Sequence, residues 1–255
     1  MKNILLVDLG TPRDEISETL GIETLAPYVE DEFGNSVSLD LKSLELDNCR
    51  NIYPYIKDKF YSAIGLSTKI RSYDRFKSAM DIIRKETPKS KVFIGDILGT
   101  YTFEEVLSQY PNVICVRGEA ENSFRELVRA VIHSKSEDDE LELSHIPNLA
   151  YISGGELVLT KRETFDVSKA KRPNRILAPE VFKQHGIGRI EASRGCAYSM
   201  CEFCGTIEKY NGPGWRPFSL DFVIAELITL SKMGFKSPYF TDEDFFGDDI
   251  ARIYE

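Results

Sequence analysis

Cysteine, histidine, methionine and tryptophan are scarce in this chain of 255 residues, which has five, three, four and one of them, respectively. Five cysteines, an odd number at uneven spacing, do not suggest the disulfide framework of a small secreted protein. No apolar run approaches the roughly 18 residues that a membrane span requires. The apolar start, MKNILLVDLG, is too short for a signal peptide. We therefore expect the protein to work in the reducing cytoplasm and not at a membrane.

Positive charge is also in short supply, because 32 Lys and Arg residues face 41 Asp and Glu residues, which gives a net charge of −9. This balance argues against a general affinity for nucleic acids or anionic membrane surfaces. The one basic run, KAKRPNR at residues 169–175, is typical of a solvated linker. With 42% hydrophobic and 29% charged residues, the chain has the composition of a globular protein with a proper core.

Short apolar runs alternate with amphipathic helical segments up to about residue 134. Five of these runs predict buried strands, at residues 3–9, 36–41, 62–67, 91–96 and 112–118. The alternation predicts an α/β fold in residues 1–134, namely a doubly wound, flavodoxin- or Rossmann-like parallel sheet. In such a sheet, ligands bind at the carboxyl ends of the strands.

Small and polar residues stand at the predicted carboxyl ends of these strands. They include Thr11, Ser67, Gly95 and Gly118, which makes them candidates for contacts with a ligand. The same residue types also suit tight turns between a strand and a helix in the absence of any ligand. Composition alone does not favour ligand contact over a turn without a ligand.

The character of the sequence changes from residue 135 onward. SKSEDDELELSH is a charged surface connection, and LAYISGGELVLT at residues 149–160 predicts a β-hairpin around Gly154 and Gly155. We expect residues 135–185 to form a linker that carries this hairpin. A second domain, residues 186–255, is predicted to begin with a strand in GRIEAS and to continue with a helix at 220–233 and a strand in SPYFTD.

Three of the five cysteines lie close together, at Cys196, Cys201 and Cys204. Three thiolates on one loop can ligate three corners of an iron–sulfur cube and leave one iron open. A structural zinc site would need a fourth protein ligand, for which His185 is the candidate. Zinc is the weaker alternative, because such sites usually pair their ligands two and two. Of the two remaining cysteines, Cys115 is more simply a buried strand residue.

Two sets of segments resemble one enzyme family. RIEASRGCAYSMCEFC looks like the cluster loop of radical S-adenosylmethionine (SAM) enzymes, in which an aromatic residue, here Phe203, precedes the last cysteine. GWRPFSLDFVIAELITLSKMGFKSPYFTDEDFFGDD is similar to the segments that follow that loop. Upstream, LGIETLAPYVED, IGLS, VFIGD and VRGEAENSFREL resemble the cobalamin-binding domain that precedes the core in one large subgroup. Residues 186–255 would then be the start of a radical SAM partial (βα)6 barrel.

The resemblance implies a chemistry for the cysteines. A [4Fe-4S] cluster on Cys196, Cys201 and Cys204 would bind SAM at its open iron, and an electron would cleave SAM to methionine and a 5′-deoxyadenosyl radical. Phe203 is expected to approach the adenine, and Asp242 and Glu243 to bind the amino or ribose groups of SAM. Without the resemblance, the acidic run DEDFFGDD is typical of a solvated loop.

The resemblance also implies partners. These are an external electron donor of the flavodoxin or ferredoxin type, a small-molecule substrate and a cobalamin, with radical methylation as one reaction that would suit them. The signature D-x-H-x-x-G, which supplies a histidine to cobalamin, is absent, and His133, His145 and His185 fall outside the predicted strand-end loops. We therefore expect cobalamin to bind without a histidine ligand.

Several features depart from the family pattern. The first two cysteines are separated by four residues where three are usual, so the loop between Cys196 and Cys201 must bulge. The usual Gly-Gly after the fourth strand is Gly95-Asp96, and Ala120 adds a β-carbon that would crowd a corrin. Only 51 residues follow Cys204 (255 − 204), so we expect a longer polypeptide or a partner to complete the barrel.

The cysteine content also bears on two other function classes. A radical methylthiotransferase needs a second cluster on three amino-terminal cysteines, and this sequence offers only Cys49 and Cys115 outside the loop, which sets that class aside. A non-catalytic module, formed by a flavodoxin-like sheet with a zinc or iron–sulfur loop and acting as a sensor or subunit, is the main alternative to an enzyme.

Overall fold

The structure is a computed structural model that describes residues 1–11 and 16–249. The last residues of the predicted second domain, 250–255, lie outside this described part. Its strands are β1 (Lys2–Asp8), β2 (Val37–Ser43), β3 (Ala63–Thr68), β4 (Lys91–Gly95), β5 (Val113–Val116), β6 (Leu149–Ser153), β7 (Glu156–Leu159), β8 (Arg189–Ile190), β9 (Ser193–Cys196), β10 (Gly214–Pro217) and β11 (Tyr239–Phe240). Its α-helices are α1 (Leu20–Phe33), α2 (Tyr53–Ile56), α3 (Tyr73–Glu86), α4 (Asp96–Tyr101), α5 (Phe103–Gln109), α6 (Glu121–His133), α7 (Ala178–Lys183), α8 (Thr206–Lys209) and α9 (Leu220–Lys232).

The first seven strands form one sheet in the order β2-β1-β3-β4-β5-β6-β7. Strands β1 to β5 are parallel, and their order, 2-1-3-4-5, is that of flavodoxin-like folds. The α/β fold predicted from the apolar runs is thereby confirmed. In this order the chain reverses direction across the sheet between β1 and β3, and the switch point of an open sheet is where ligands bind.

Both faces of the sheet are covered, which explains why its strands are continuous apolar runs. Along β1, Leu5 and Val7 point to one buried cluster, in which Phe76 of α3 is completely buried. Ile4 and Leu6 point to a second cluster on the opposite face, which contains Phe124 and other residues of α1 and α6. Because successive side chains of a strand alternate between faces, a sheet covered on both sides needs apolar residues at every position.

The predicted hairpin is present and extends the sheet. Strands β6 and β7 pair antiparallel around Gly154 and Gly155, and β6 pairs antiparallel with β5 through Cys115 and Ala150. Residues that were expected to lie in a linker therefore cover the edge of the parallel sheet. This matters for stability because an uncovered edge strand presents unpaired N–H and C=O groups.

Beyond residue 185 the chain forms two small sheets. Strands β8 and β11 pair parallel with α9 between them in sequence, and β9 pairs antiparallel with β10. A separate core lies beneath them and includes Val181, Ile190 and Leu230. A strand, a helix and a parallel strand are the unit that a βα barrel repeats. No helix in residues 1–11 and 16–249 has the length and apolar character needed to cross a membrane.

The basic run at residues 169–175 is not a solvated linker throughout. The Arg175 side chain is buried, and its Nη1 lies 2.6 and 2.7 Å from the two carboxylate oxygens of Glu18. Its Nε lies 3.0 Å from a carboxylate oxygen of Glu226 in α9. The solvated-linker interpretation is therefore wrong for Arg175, which ties the segment before α1 to the carboxy-terminal core.

Candidate functional site

A cavity of about 370 Å³ lies at the carboxyl ends of β1, β3, β4 and β5, between the sheet and the residues that follow it in sequence. The structure brings four predicted site residues together in its wall, namely Thr11, Ser67, Gly95 and Gly118. They come from four different strand ends, so only the parallel order of the sheet makes them neighbours. That these residues contact a cofactor stays a prediction.

Two of these glycines have different surroundings. A β-carbon at Gly95 would meet nothing within 4 Å, and the backbone there, with φ −117° and ψ −174°, is one that any residue adopts. Gly118 instead has φ +77°, and a β-carbon at that position would overlap the side chain of Asn211. Gly95 therefore borders open space, whereas Gly118 permits a close approach of the carboxy-terminal part of the chain.

Two carboxylates stand at the floor of the cavity. Asp8 ends β1 and is buried, and Asp96 follows Gly95 at the end of β4. Burial raises the pKa of both carboxyl groups, and the positive charge of Lys69 opposes that rise. The Ser67 hydroxyl donates a hydrogen bond of 3.3 Å to Asp96 Oδ2. In the sequence, Asp96 stands out only because it replaces the second glycine of the usual Gly-Gly.

Glu119 and Glu121, which follow β5, are a second pair of carboxylates in the cavity wall. Ala120 has φ −109°, so its backbone does not require glycine, and the residue lines the cavity. Glu121, which follows it, is 3% exposed. One oxygen of Glu121 lies 2.6 Å from Arg194 Nη2, whereas its Oε2 has no hydrogen-bond partner. A buried acceptor without a donor is costly unless a ligand supplies one.

Arg194 links the cavity to the cysteine loop. Its Nη1 lies 3.0 Å from Glu119 Oε1, and its Nη2 lies 3.0 Å from Glu191 Oε2. Arg216 of β10 also pairs with Glu119 at 3.0 Å. Arg194 lies two residues before Cys196 on β9, so this buried cluster positions the strand that leads into the cysteines. The cluster could not be predicted from the sequence, because Glu119 and Glu121 lie far from Arg194 along the chain.

The cysteine loop begins where β9 ends. Gly195 pairs with Trp215 of β10 at φ +82°, and a β-carbon there would overlap the carbonyl group of Gly214. The Cys204 N–H donates to the Cys201 carbonyl at 3.1 Å, and Cys204 Sγ lies 3.0 Å from the Thr206 hydroxyl. Hydrogen bonding to Thr206 lowers the pKa of the Cys204 thiol.

The three cysteines are not gathered around one point. In the described residues, no group of three or more His, Cys, Asp or Glu side chains is arranged to hold a metal ion. The His185 side chain is exposed. That Cys196, Cys201 and Cys204 ligate a cluster, or a zinc ion together with His185, stays a prediction. The donor set suits iron–sulfur ligation in its chemistry, and its arrangement here supplies no geometry for a cluster.

The two acidic residues predicted to bind SAM are engaged with the protein. The Asp242 carboxylate accepts hydrogen bonds from the Ala192 N–H at 3.0 Å and from the Ser193 hydroxyl at 2.7 Å. Glu243 accepts a hydrogen bond of 2.5 Å from the Tyr210 hydroxyl and pairs with Lys209.

Phe203, predicted to approach the adenine of SAM, is 93% exposed. Like the roles of Asp242 and Glu243, this contact stays a prediction.

Asp244 is a residue of this region that sequence analysis missed. Its Oδ2 accepts a hydrogen bond of 3.0 Å from the N–H of Ala197, the residue after Cys196. That hydrogen bond is the main cause that lowers the pKa of the Asp244 carboxyl group. The Asp244 carbonyl accepts a hydrogen bond of 2.6 Å from Trp215 Nε1–H, and the Ser193 hydroxyl oxygen lies 2.9 Å from the same carbonyl. Nothing in the run DEDFFGDD distinguishes this aspartate from its neighbours.

Comparison with known sequences finds similarities that lie mainly in the amino-terminal part of the chain. The B12 binding domain family matches residues 7–128. The chain is 26% identical over 166 residues to 4′-phospho-dehydrooxetanocin synthase of Priestia megaterium, a match that covers 62% of this chain and 21% of that protein. It is 31% identical over 161 residues to an uncharacterized methyltransferase of Pyrococcus horikoshii, covering 60% of this chain and 33% of that protein.

Solved structures show the same fold. OxsB, a cobalamin-dependent SAM radical enzyme solved with aqua-cobalamin and SAM, superposes with a TM-score of 0.82 at 23% identity, over 97% of this chain and 34% of its own. TsrM, a radical SAM methyltransferase from Kitasatospora setae, superposes with a TM-score of 0.80 at 20% identity, over 98% of this chain and 49% of its own. The resemblance predicted from the sequence is confirmed, and the chain spans half or less of the length of each of these relatives.

Proposed function

We propose, from the match of residues 7–128 to the B12 binding domain family, that the cavity at the carboxyl ends of β1, β3, β4 and β5 binds a cobalamin without a histidine ligand. The observation that carries this proposal is the position of the cavity at the switch point of the sheet. None of the three histidines is among the residues that line it. The cobalt would therefore meet other groups of this chain.

The residues present fit such a ligand in two respects. Gly95 leaves open space beside the strand end, which admits a flat macrocycle close to the backbone. The unpartnered Oε2 of buried Glu121 needs a hydrogen-bond donor, and the corrin periphery carries primary amides that donate. Bound cobalamin supplies a cobalt centre that carries a methyl group or an electron. The chain's own residues supply the apolar wall, the amide contacts and the exclusion of water.

Gly95→Val is expected to weaken the binding of aquacobalamin by about tenfold or more, because a branched side chain would fill the space that the glycine leaves open. The backbone at this position accepts any residue, so the fold should survive. Absorbance titration of the purified chain with aquacobalamin measures the affinity, and circular dichroism checks the fold.

Ser38→Val, on the edge strand β2 and outside the cavity, is the matched control and should bind cobalamin as the wild type does. A wild-type chain that does not retain cobalamin on gel filtration would overturn the proposed function. If the Gly95→Val variant binds aquacobalamin with the affinity of the wild type, the binding site does not lie in this cavity.

We also propose that Cys196, Cys201 and Cys204 ligate a [4Fe-4S] cluster that binds SAM and cleaves it reductively, in an enzyme that the rest of a longer chain or a partner completes. Support comes from the three thiols on one loop, the lowered pKa of the Cys204 thiol and the collinear resemblance to radical SAM enzymes. When bound, such a cluster supplies a low-potential electron. Asp244, Arg194 and Ser193 hold the backbone on either side of Cys196.

The same proposal includes the reaction partners. An electron donor of the flavodoxin or ferredoxin type would reduce the cluster, and a small molecule would be the substrate, with methylation as the proposed outcome. TsrM is a methyltransferase, and this similarity supports methylation, while the matched parts of these relatives leave the substrate open. We also propose a cytoplasmic location, where the thiols stay reduced.

Anaerobic reconstitution with iron and sulfide is expected to load the wild-type chain with about four irons. Replacing Cys196, Cys201 and Cys204 together by serine should abolish iron binding, because serine does not offer a thiolate. Cys49→Ser, outside the loop, should leave it unchanged. Iron and sulfide analysis, with a test for release of 5′-deoxyadenosine from SAM, provides the measurement.

Two results would contradict the cluster proposal. Iron retained by the triple serine variant would place the metal elsewhere. Zinc at one ion per chain, with no deoxyadenosine, would favour the non-catalytic module with a structural metal loop.

A further inference from the structure

Asp96 occupies an unusual position for its residue type. It has φ +64°, in the left-handed region that glycine adopts freely and that other residues rarely use. Aspartate and asparagine tolerate this conformation better than most residues. A glycine would cost less at this strand end, so the aspartate side chain is the feature that needs an explanation.

The Asp96 carboxylate belongs to the cavity wall at the switch point of the sheet. It follows Gly95, and Ser67 Oγ holds its Oδ2 from the neighbouring strand β3. Thr68 pairs with Asp96 in an isolated parallel bridge and donates from its hydroxyl to the Gly95 carbonyl at 2.8 Å. Three strand-end contacts therefore fix this residue beside the open space that Gly95 borders.

We propose that Asp96 is the protein group that faces the cobalt on the side of the corrin that lies against the sheet. The inference rests on the proposed cobalamin binding. A flat corrin laid across the strand ends would place its metal close to the end of β4, where Asp96 lies, and no histidine is among the residues that line the cavity. Carboxylate oxygen is a donor for which cationic cobalt has affinity, directly or through a hydrogen-bonded ligand.

Other charged groups surround Asp96. Asp8 on β1 adds negative charge, and Lys69 after β3 and Lys209 on α8 add positive charge. Tyr101, at the end of α4, also lines the cavity. Burial raises the pKa of the Asp96 carboxyl group, and a bound cationic cobalt would favour its ionised form. The carboxylates of Asp8 and Asp96 have different hydrogen-bond donors. Asp8 accepts a hydrogen bond from the backbone N–H of Gly10, and Asp96 accepts one from the hydroxyl of Ser67.

Asp96→Asn and Asp96→Gly test this inference without straining the backbone, because both residues tolerate positive φ. The purified chain is loaded with aquacobalamin, and absorbance spectra are recorded at a series of pH values. They give the pH midpoint at which the water bound to cobalt loses its proton and the cationic form of the corrinoid becomes neutral. A carboxylate near the metal stabilises the cationic form, so either variant should lower this midpoint by about one pH unit. Affinity should also fall, by about tenfold.

Asp81→Asn, which removes one negative charge from the exposed surface of α3, is the control and should leave both the midpoint and the affinity unchanged. If both Asp96 variants bind aquacobalamin with the midpoint and affinity of the control, the assignment of Asp96 is overturned and cobalamin binding stands. If the wild type binds no aquacobalamin, the proposed function itself fails, and this inference fails with it.

Discussion

Arg194→Met is expected to lower the free energy of unfolding by about 3–5 kcal/mol, since removing one partner of a buried ion pair leaves uncompensated buried charge. Arg194 is 7% exposed and faces three carboxylates, of Glu119, Glu121 and Glu191. Burial already raises the pKa of Glu119 and Glu191 although the arginine is present. Urea unfolding at neutral pH, followed by fluorescence and circular dichroism, measures the loss.

Arg129→Met is the matched control for this substitution. Arg129 pairs with Glu126 at 2.6 Å and with Glu32, and its side chain is 37% exposed. A pair at such a surface contributes about 1 kcal/mol or less. If Arg194→Met costs no more than Arg129→Met, then the cluster around Arg194 does not hold the cysteine strand to the sheet domain.

The second large effect concerns pH. Burial, together with the negative charge of Glu18, raises the pKa of the Glu23 carboxyl group to about 8. In the unfolded chain this group titrates near 4.5, the ordinary value for glutamate. Between those two values the folded protein holds a proton that the unfolded chain has lost, so stability falls as pH rises through this window. The contribution of Glu23 to that fall is about 5 kcal/mol, because each unit of pKa difference corresponds to about 1.4 kcal/mol.

Glu23→Gln should remove this part of the pH dependence. The glutamine oxygen can still accept the hydrogen bond of 2.8 Å from the Leu177 N–H. We expect similar stability at pH 5.5 and higher stability than the wild type at pH 9, measured by urea unfolding at several pH values. Glu104→Gln, on the exposed side of α5, should follow the wild type. Equal pH slopes in Glu23→Gln and the wild type would show that Glu23 ionises normally in the folded state.

The parallel sheet could be predicted from the sequence because its strands are buried on both faces. Such strands are continuous apolar runs, and each predicted run lies within a few residues of the observed strand. The predicted ends also located Thr11, Ser67, Gly95 and Gly118, which a parallel sheet must bring to one edge. The local pattern of apolar runs was sufficient to predict these positions, because a parallel sheet places the carboxyl ends of its strands at one edge.

The ionic contacts could not be predicted in this way. Arg175 stands in a basic run that is typical of solvent-exposed segments, yet its partners Glu18 and Glu226 lie far away along the chain. Glu119 and Arg194 are likewise distant in sequence. A pairing of this kind depends on which segments the fold brings together, and the spacing of charges along one segment carries no information about it.

Gly195 has a consequence for how this protein can diversify. The carbonyl of Gly214 occupies the volume that any side chain at position 195 would need, and the left-handed backbone there adds a second obstacle. A survey of tolerated substitutions would therefore rank Gly195 beside the cysteines, although it has no donor atom for a metal. Intolerance at this position reflects the shape of the chain as it enters the loop, so it cannot serve as a sign of cofactor chemistry.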